Sequence, residues 1–224
     1  MKKIFAIALT FIMVFSFVAC DKANSQNDAN TKPKDEETMT GAWEKAPKME
    51  ITEAMEELLE KATKDISDEI YTPVAYLEYQ VVAGTNHKIL CIVTPADDKE
   101  IPKYAIAIVY EDLDGKVELK GTLRSDAYAD VVTAYDSTDV VGYWNMPDTP
   151  DITEEADEAF SKATKDSKDG YKPMALLATQ VVAGTNYSIL AGTDKTDSGI
   201  TYRILHVHAD LEGNAEVTDT YDFE

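Results

Sequence analysis

The chain has 224 residues, 44% of them hydrophobic and 28% charged, the balance of a globular protein of one or two domains. That composition excludes collagen-like, coiled-coil and wholly disordered chains. Acidic residues number 42 against 21 basic ones, for a net charge of −21, so phosphate backbones are repelled and no nucleic-acid partner is expected.

Residues 1–19 read as an export signal. Lys2 and Lys3 form a positive start, Ile4 to Val18 is almost wholly apolar, and Ala19 is small. The apolar run is short for a membrane span. The stretch Phe17-Val18-Ala19-Cys20 resembles a bacterial lipobox, with Phe17 where Leu is usual. That resemblance implies a diacylated Cys20, with palmitate among its acyl chains, as the new N-terminus. The protein would then be exported and anchored to the cell envelope through lipid at the membrane. Ordinary secretion with cleavage nearby is the alternative, and both place the chain outside the cytoplasm. From Cys20 to Thr40 almost every residue is polar and no apolar period emerges, which predicts a flexible tether. The second cysteine, Cys91, lies in the apolar run Ile89–Val93 and reads as a small buried hydrophobe rather than a disulfide partner or a nucleophile.

The remainder is one unit written twice. Gln80-Val81-Val82-Ala83-Gly84-Thr85-Asn86 recurs unchanged as Gln180 to Asn186. Gly41, Trp43 and Pro47 precede it as Gly142, Trp144 and Pro147 precede the second copy, and Ala62-Thr63-Lys64-Asp65 returns as Ala163 to Asp166. A repeat of this length is a domain, so two are expected, at 41–138 and 139–224.

Each unit opens with a helix. Ile51, Met55, Leu58, Leu59, Ala62 and Ile66 fall on one helical face, with Thr52 placed to cap it and Glu53 and Glu56 in its first turn. In the second unit Ile152, Ala156, Ala159, Phe160 and Ala163 repeat the face behind Thr153, with smaller side chains and hence a thinner core. Pro73 and Pro173 forbid further helix, and period-two patterns predict strands over 74–82, 85–93, 103–111 and 116–123. Asp112-Leu113-Asp114-Gly115 and Asp210-Leu211-Glu212-Gly213 carry hairpin chemistry. The expected fold class is α+β, one helix packed across an antiparallel β-sheet, twice.

Val81 and Val82 lead straight into Gly84, where a hairpin tip would ordinarily be polar. Either the valines are strand residues facing the helix, or an apolar tip is kept for a partner to bury. At these residues the chain resembles the cystatins and stefins, inhibitors of papain-like cysteine proteases: Gln-Val-Val-Ala-Gly is that family's first-hairpin motif. Thr185-Asn186-Tyr187 and the upstream glycines Gly41 and Gly142 fit the same pattern. The resemblance covers 41–124 and 142–224, and implies two tandem cystatin-like domains.

It further implies a three-part protease-binding wedge in each domain. In the first these are Gly41, then Gln80, Val81, Val82, Ala83 and Gly84, then the loop around Leu113. In the second they are Gly142, then Gln180, Val181, Val182, Ala183 and Gly184, then the loop around Leu211. Such a wedge occludes the protease cleft with no bond cut or formed. Gln80 either holds the hairpin base or pairs with cleft backbone. Leu113 and Leu211 stand alone where many cystatins carry Pro-Trp; stefins also lack that tryptophan. Trp43 and Trp144 either stack on the target or anchor the leading segment to its own sheet, the latter being the expected role. Family members can also exchange halves by opening the first hairpin, and such a swapped dimer would hide Val81 and Val82.

Other chemistry fares less well. His206, His208 and Asp210 would share a strand face, but Ile108, Tyr110 and Asp112 stand at those places in the first unit, and no metal or other cofactor is expected. A phosphate-binding loop, a nucleophile elbow and a carboxylate pair in an apolar pocket are all missing, so no enzyme is expected. The rival function is a non-inhibitory surface module on the same scaffold that binds a protein or peptide.

Overall fold

In the computed structural model, which describes residues 41–96, 101–128, 142–194 and 199–224, the two repeats build two five-stranded antiparallel sheets. The first contains β1 (Trp43–Lys45), β2 (Glu69–Val82), β3 (Gly84–Pro95), β4 (Lys103–Glu111) and β5 (Val117–Tyr128), in that spatial order, with α1 (Glu53–Thr63) between β1 and β2. The second contains β6 (Trp144–Asn145), α2 (Glu154–Thr164), β7 (Lys172–Val182), β8 (Gly184–Gly192), β9 (Tyr202–Ala209) and β10 (Ala215–Asp222), its strands again lying in sequence order. The fold is α+β. The expected signal and tether at 1–40, including Cys20, and the expected boundary at 138/139 lie outside the described residues.

Each helix buries the face its sequence assigns. Leu58 and Leu59, flanked by Ile51, Met55 and Ala62, cover Ile89, Cys91, Val93, Ala105, Ala107 and Val109. In the second repeat Ala156, Ala159 and Phe160 cover Leu176, Tyr187, Ile189, Leu205 and Val207. Ile66 falls beyond the end of α1, which stops at Thr63.

Three expectations are corrected. The helices end about ten residues before Pro73 and Pro173, so proline does not terminate them. Both prolines instead lie within strands, next to register shifts at Pro73/Ala75 and Pro173/Ala175, where an irregular ladder accommodates a residue without an N–H. Thr52 takes the N-cap position but makes no side-chain bond, whereas the Thr153 side chain accepts from Ala156 N.

The other faces of the two sheets meet each other. Ala75, Leu77, Leu90, Ile92, Tyr104, Ile106 and Ala127 of the first repeat form one buried cluster with Ala175, Leu177, Leu190, Ile200, Tyr202 and Ile204 of the second. The result is four layers, helix on sheet on sheet on helix, in one compact unit. With both faces covered, β3 is buried from Ile89 through Val93, odd residues under α1 and even ones against the opposite sheet. That accounts for an unbroken apolar run where a half-solvated antiparallel strand would alternate.

Polar contacts fix this packing. Arg124 N donates to Glu224 O (2.7 Å) and Glu224 N to Arg124 O (2.9 Å), so the distal ends of β5 and β10 bond in antiparallel sense. Between the sheets, Lys88 Nζ donates to the buried Glu78 carboxylate at 2.6 Å. Ile200 N of the second repeat donates to the same carboxylate at 3.3 Å. The Trp43 ring lies 4.3 Å from the ammonium and the Tyr202 ring 5.8 Å from it.

Candidate functional site

The β2–β3 hairpin turns at Ala83, with Val82 opposite Gly84 and Val81 opposite Thr85. Gly84 has φ +119°, and a side chain there would collide with the Glu111 carbonyl at the end of β4. Gly184 repeats this with φ +109° against the Ala209 carbonyl. Both the left-handed backbone and the close approach of the neighbouring strand require glycine. The Tyr110 hydroxyl donates to Ala83 O and braces the first tip.

The valines face outward. Val82 is 43% exposed and Val182 37%, with Val81 and Val181 similar, so they do not pack under the helix. The two hairpin tips thus expose four valines, an apolar surface of the kind a partner buries.

The leading glycine is fastened beside this tip. Gly41 N donates to Val81 O at 3.0 Å, and the Gln80 side chain donates through Nε2 to Gly41 O at 2.8 Å. Asn86 Nδ2 in turn donates to Gln80 Oε1 at 2.8 Å. Gln80 therefore holds the hairpin base and the leading segment together. Asn86 orients it, which explains why the exact repeat runs on past Gly84 to Thr-Asn. The second repeat copies the clamp: Gly142 N to Val181 O (3.0 Å), Gln180 to Gly142 O (3.0 Å) and Asn186 to Gln180 (2.5 Å). Trp43 and Trp144 lie directly across from Gln80 and Gln180 in β1 and β6. Trp43 is covered by Lys88, and Trp144 packs on His206 with ring centroids 4.9 Å apart, so both anchor the leading segment to its own sheet.

The third part arrives on the same edge because Glu111, the last residue of β4, pairs with Thr85. The loop that follows is shaped by Asp112, whose Oδ1 accepts from Asp114 N (2.9 Å) and Lys116 N (2.8 Å). Asp210 does the same for Glu212 N (3.0 Å) and Asn214 N (2.8 Å). These side-chain-to-backbone bonds stiffen the turn. They present Leu113 at 84% and Leu211 at 79% exposure. Each repeat thus carries, on one sheet edge, a pinned glycine, an apolar hairpin tip and a rigid loop with one projecting leucine.

The remaining candidates are occupied by packing. His206 lies between Trp144 and Tyr221, and burial lowers its pKa against an opposing pull from Asp219. His208 Nδ1 is 2.7 Å from Asn186 Oδ1; an amide oxygen only accepts, so Nδ1 carries the proton. Asp210 shapes its loop. Among the described residues no three His, Cys, Asp or Glu side chains group as a metal site. Burial pushes the Cys91 thiol up to about 12, which makes it a poor nucleophile. No family model matches the chain, and no curated protein matches it.

Proposed function

We propose that the chain is a reversible, tight-binding inhibitor of papain-like cysteine proteases, built from two cystatin-like halves and held at the cell envelope by lipid on Cys20. The observation that carries this reading is the three-part edge, made twice: Gly41 clamped by Gln80 beside Val81 and Val82, with the Asp112–Lys116 loop next to them, and the same grouping around Gly142, Gln180, Val182 and Leu211. A projecting, apolar edge of this kind suits insertion into a narrow cleft. Burial of the valines supplies the driving force at about 25 cal/mol per Å². The clamp and the Asx-stabilised loops limit the ordering cost of binding, because the edge is already shaped. The proposed action is occlusion, with no bond made or broken, and the chain itself is proposed to be no enzyme.

The test is steady-state inhibition of papain and related proteases by the chain from Asp21 onward. The expected result is inhibition competitive with a peptide substrate and reversed on dilution, with the chain recovered uncleaved. A folded monomer that leaves several such proteases fully active would overturn the proposal in favour of a surface module that binds another protein or peptide.

A further inference from the structure

We infer that the two edges act at opposite ends of one rigid body, so that a single chain holds two protease molecules at once. The inference rests on the inhibitor reading and adds to it the number and arrangement of the partners.

The directions follow from the strand order. β5 leaves the first edge at Val117 and runs away from it to Tyr128, while β10 leaves the second edge at Ala215 and runs away to Asp222. These strands meet at their far ends, Arg124 and Ser125 against Glu224 and Phe223, and they meet antiparallel. Two strands that each run away from their own edge and are antiparallel where they join place those edges at opposite ends. A second contact gives the same answer independently. Glu78, close to the first tip, receives Ile200 N from the end of the second sheet remote from its own tip. Counting from that contact to Val82 in one direction and to Ala209 in the other, at about 3.3 Å per strand residue, separates the edges by roughly 40 Å along the strands.

The separation is fixed. The sheets share the core of Leu77, Leu90, Ile106, Leu177, Leu190 and Ile204, all fully buried, and the Glu78–Lys88 pair is enclosed between them. A flexible linker would let two wedges converge on neighbouring surfaces, but a shared core does not. Each partner approaches along its own strand axis with the body of the inhibitor in between, so the first one bound leaves the other edge open. Both edges cannot engage one protease, and the gain from two edges is in number bound and in bridging rather than in avidity for one molecule.

Light scattering or native mass spectrometry of the chain from Asp21 onward, mixed with excess papain, reads the result directly. The expected saturating complex contains one chain and two papain molecules, and Val82→Asp and Val182→Asp each reduce it to one and one. These valines are exposed, so the substitutions leave the core intact, and circular dichroism checks that. A wild-type chain that inhibits papain yet saturates at one and one overturns the inference while leaving the inhibitor reading standing. A folded chain that neither binds nor inhibits overturns both.

Discussion

Behind their matching edges, the two repeats are supported by different residues. In the first, the back of the sheet beside the tip holds Glu78, Lys88 and Ile108, with the lysine ammonium salt-bridged, buried and covered by Trp43. In the second, the same positions are Ala178, Ser188 and His206, and Trp144 packs on the histidine instead. The tip brace differs too: Tyr110 reaches Ala83, while His208 in its place holds Asn186. Yet the Gly–Gln–Asn clamp has the same bonds in both copies. The edge geometry therefore depends on the clamp and the glycine turn, and the layer beneath can be charged or neutral provided it is filled.

The sharpest way to break this comparison is to unbalance the charged support. Lys88→Met leaves the Glu78 carboxylate buried without its cation and should cost about 3–5 kcal/mol, read as a fall in the urea midpoint. Adding Glu78→Leu to that variant should recover most of the loss, because both charges then leave the interior. A lysine variant no less stable than the double would show that the pair is not enclosed as described. Ser188→Ala, at the matching site, should be nearly silent, since the Ser188 hydroxyl has no hydrogen-bond partner among the described residues to lose.

A smaller contrast lies at the helix starts. Thr153→Ala removes a side-chain cap and should cost about 1 kcal/mol, whereas Thr52→Ala removes none and should change stability by a few tenths at most. Equal effects in thermal unfolding would remove the distinction between the two caps.

Much of the fold was legible because its elements have strong periods. The helical faces from Ile51 to Ala62 and from Ile152 to Ala163, the strand at 103–111 and the Asp-Leu-Asp-Gly turn follow from spacing and turn chemistry alone. The edges of the remaining strands were less so, since β2 begins at Glu69 and passes through Pro73 at an irregularity that no period marks. β1 and β6, of two or three residues, are too short to have a period at all. The face-to-face packing of the sheets was signalled by the continuous run Ile89–Val93, but a run that is apolar on both faces does not name what covers the second one. Glu78 and Lys88 concealed it further, because in isolation charged strand residues read as solvent-facing, and only their mutual neutralisation permits burial. For the candidate site, the exact repeat located the edge, while the role of Gln80 depended on which backbone lay beside it, a long-range fact.

These two edges are proposed to be what a cysteine protease meets, and the most direct measurement is papain inhibition by Val82→Asp, Val182→Asp and the double variant. A charge in a desolvated contact should weaken its edge by about 2–4 kcal/mol, roughly 30- to 1,000-fold. The expected pattern is therefore one full-strength inhibitory edge in each single variant and both edges weakened by that factor in the double, with unfolding midpoints unchanged. A double variant that stays folded and inhibits as tightly as the unmodified chain would contradict the account.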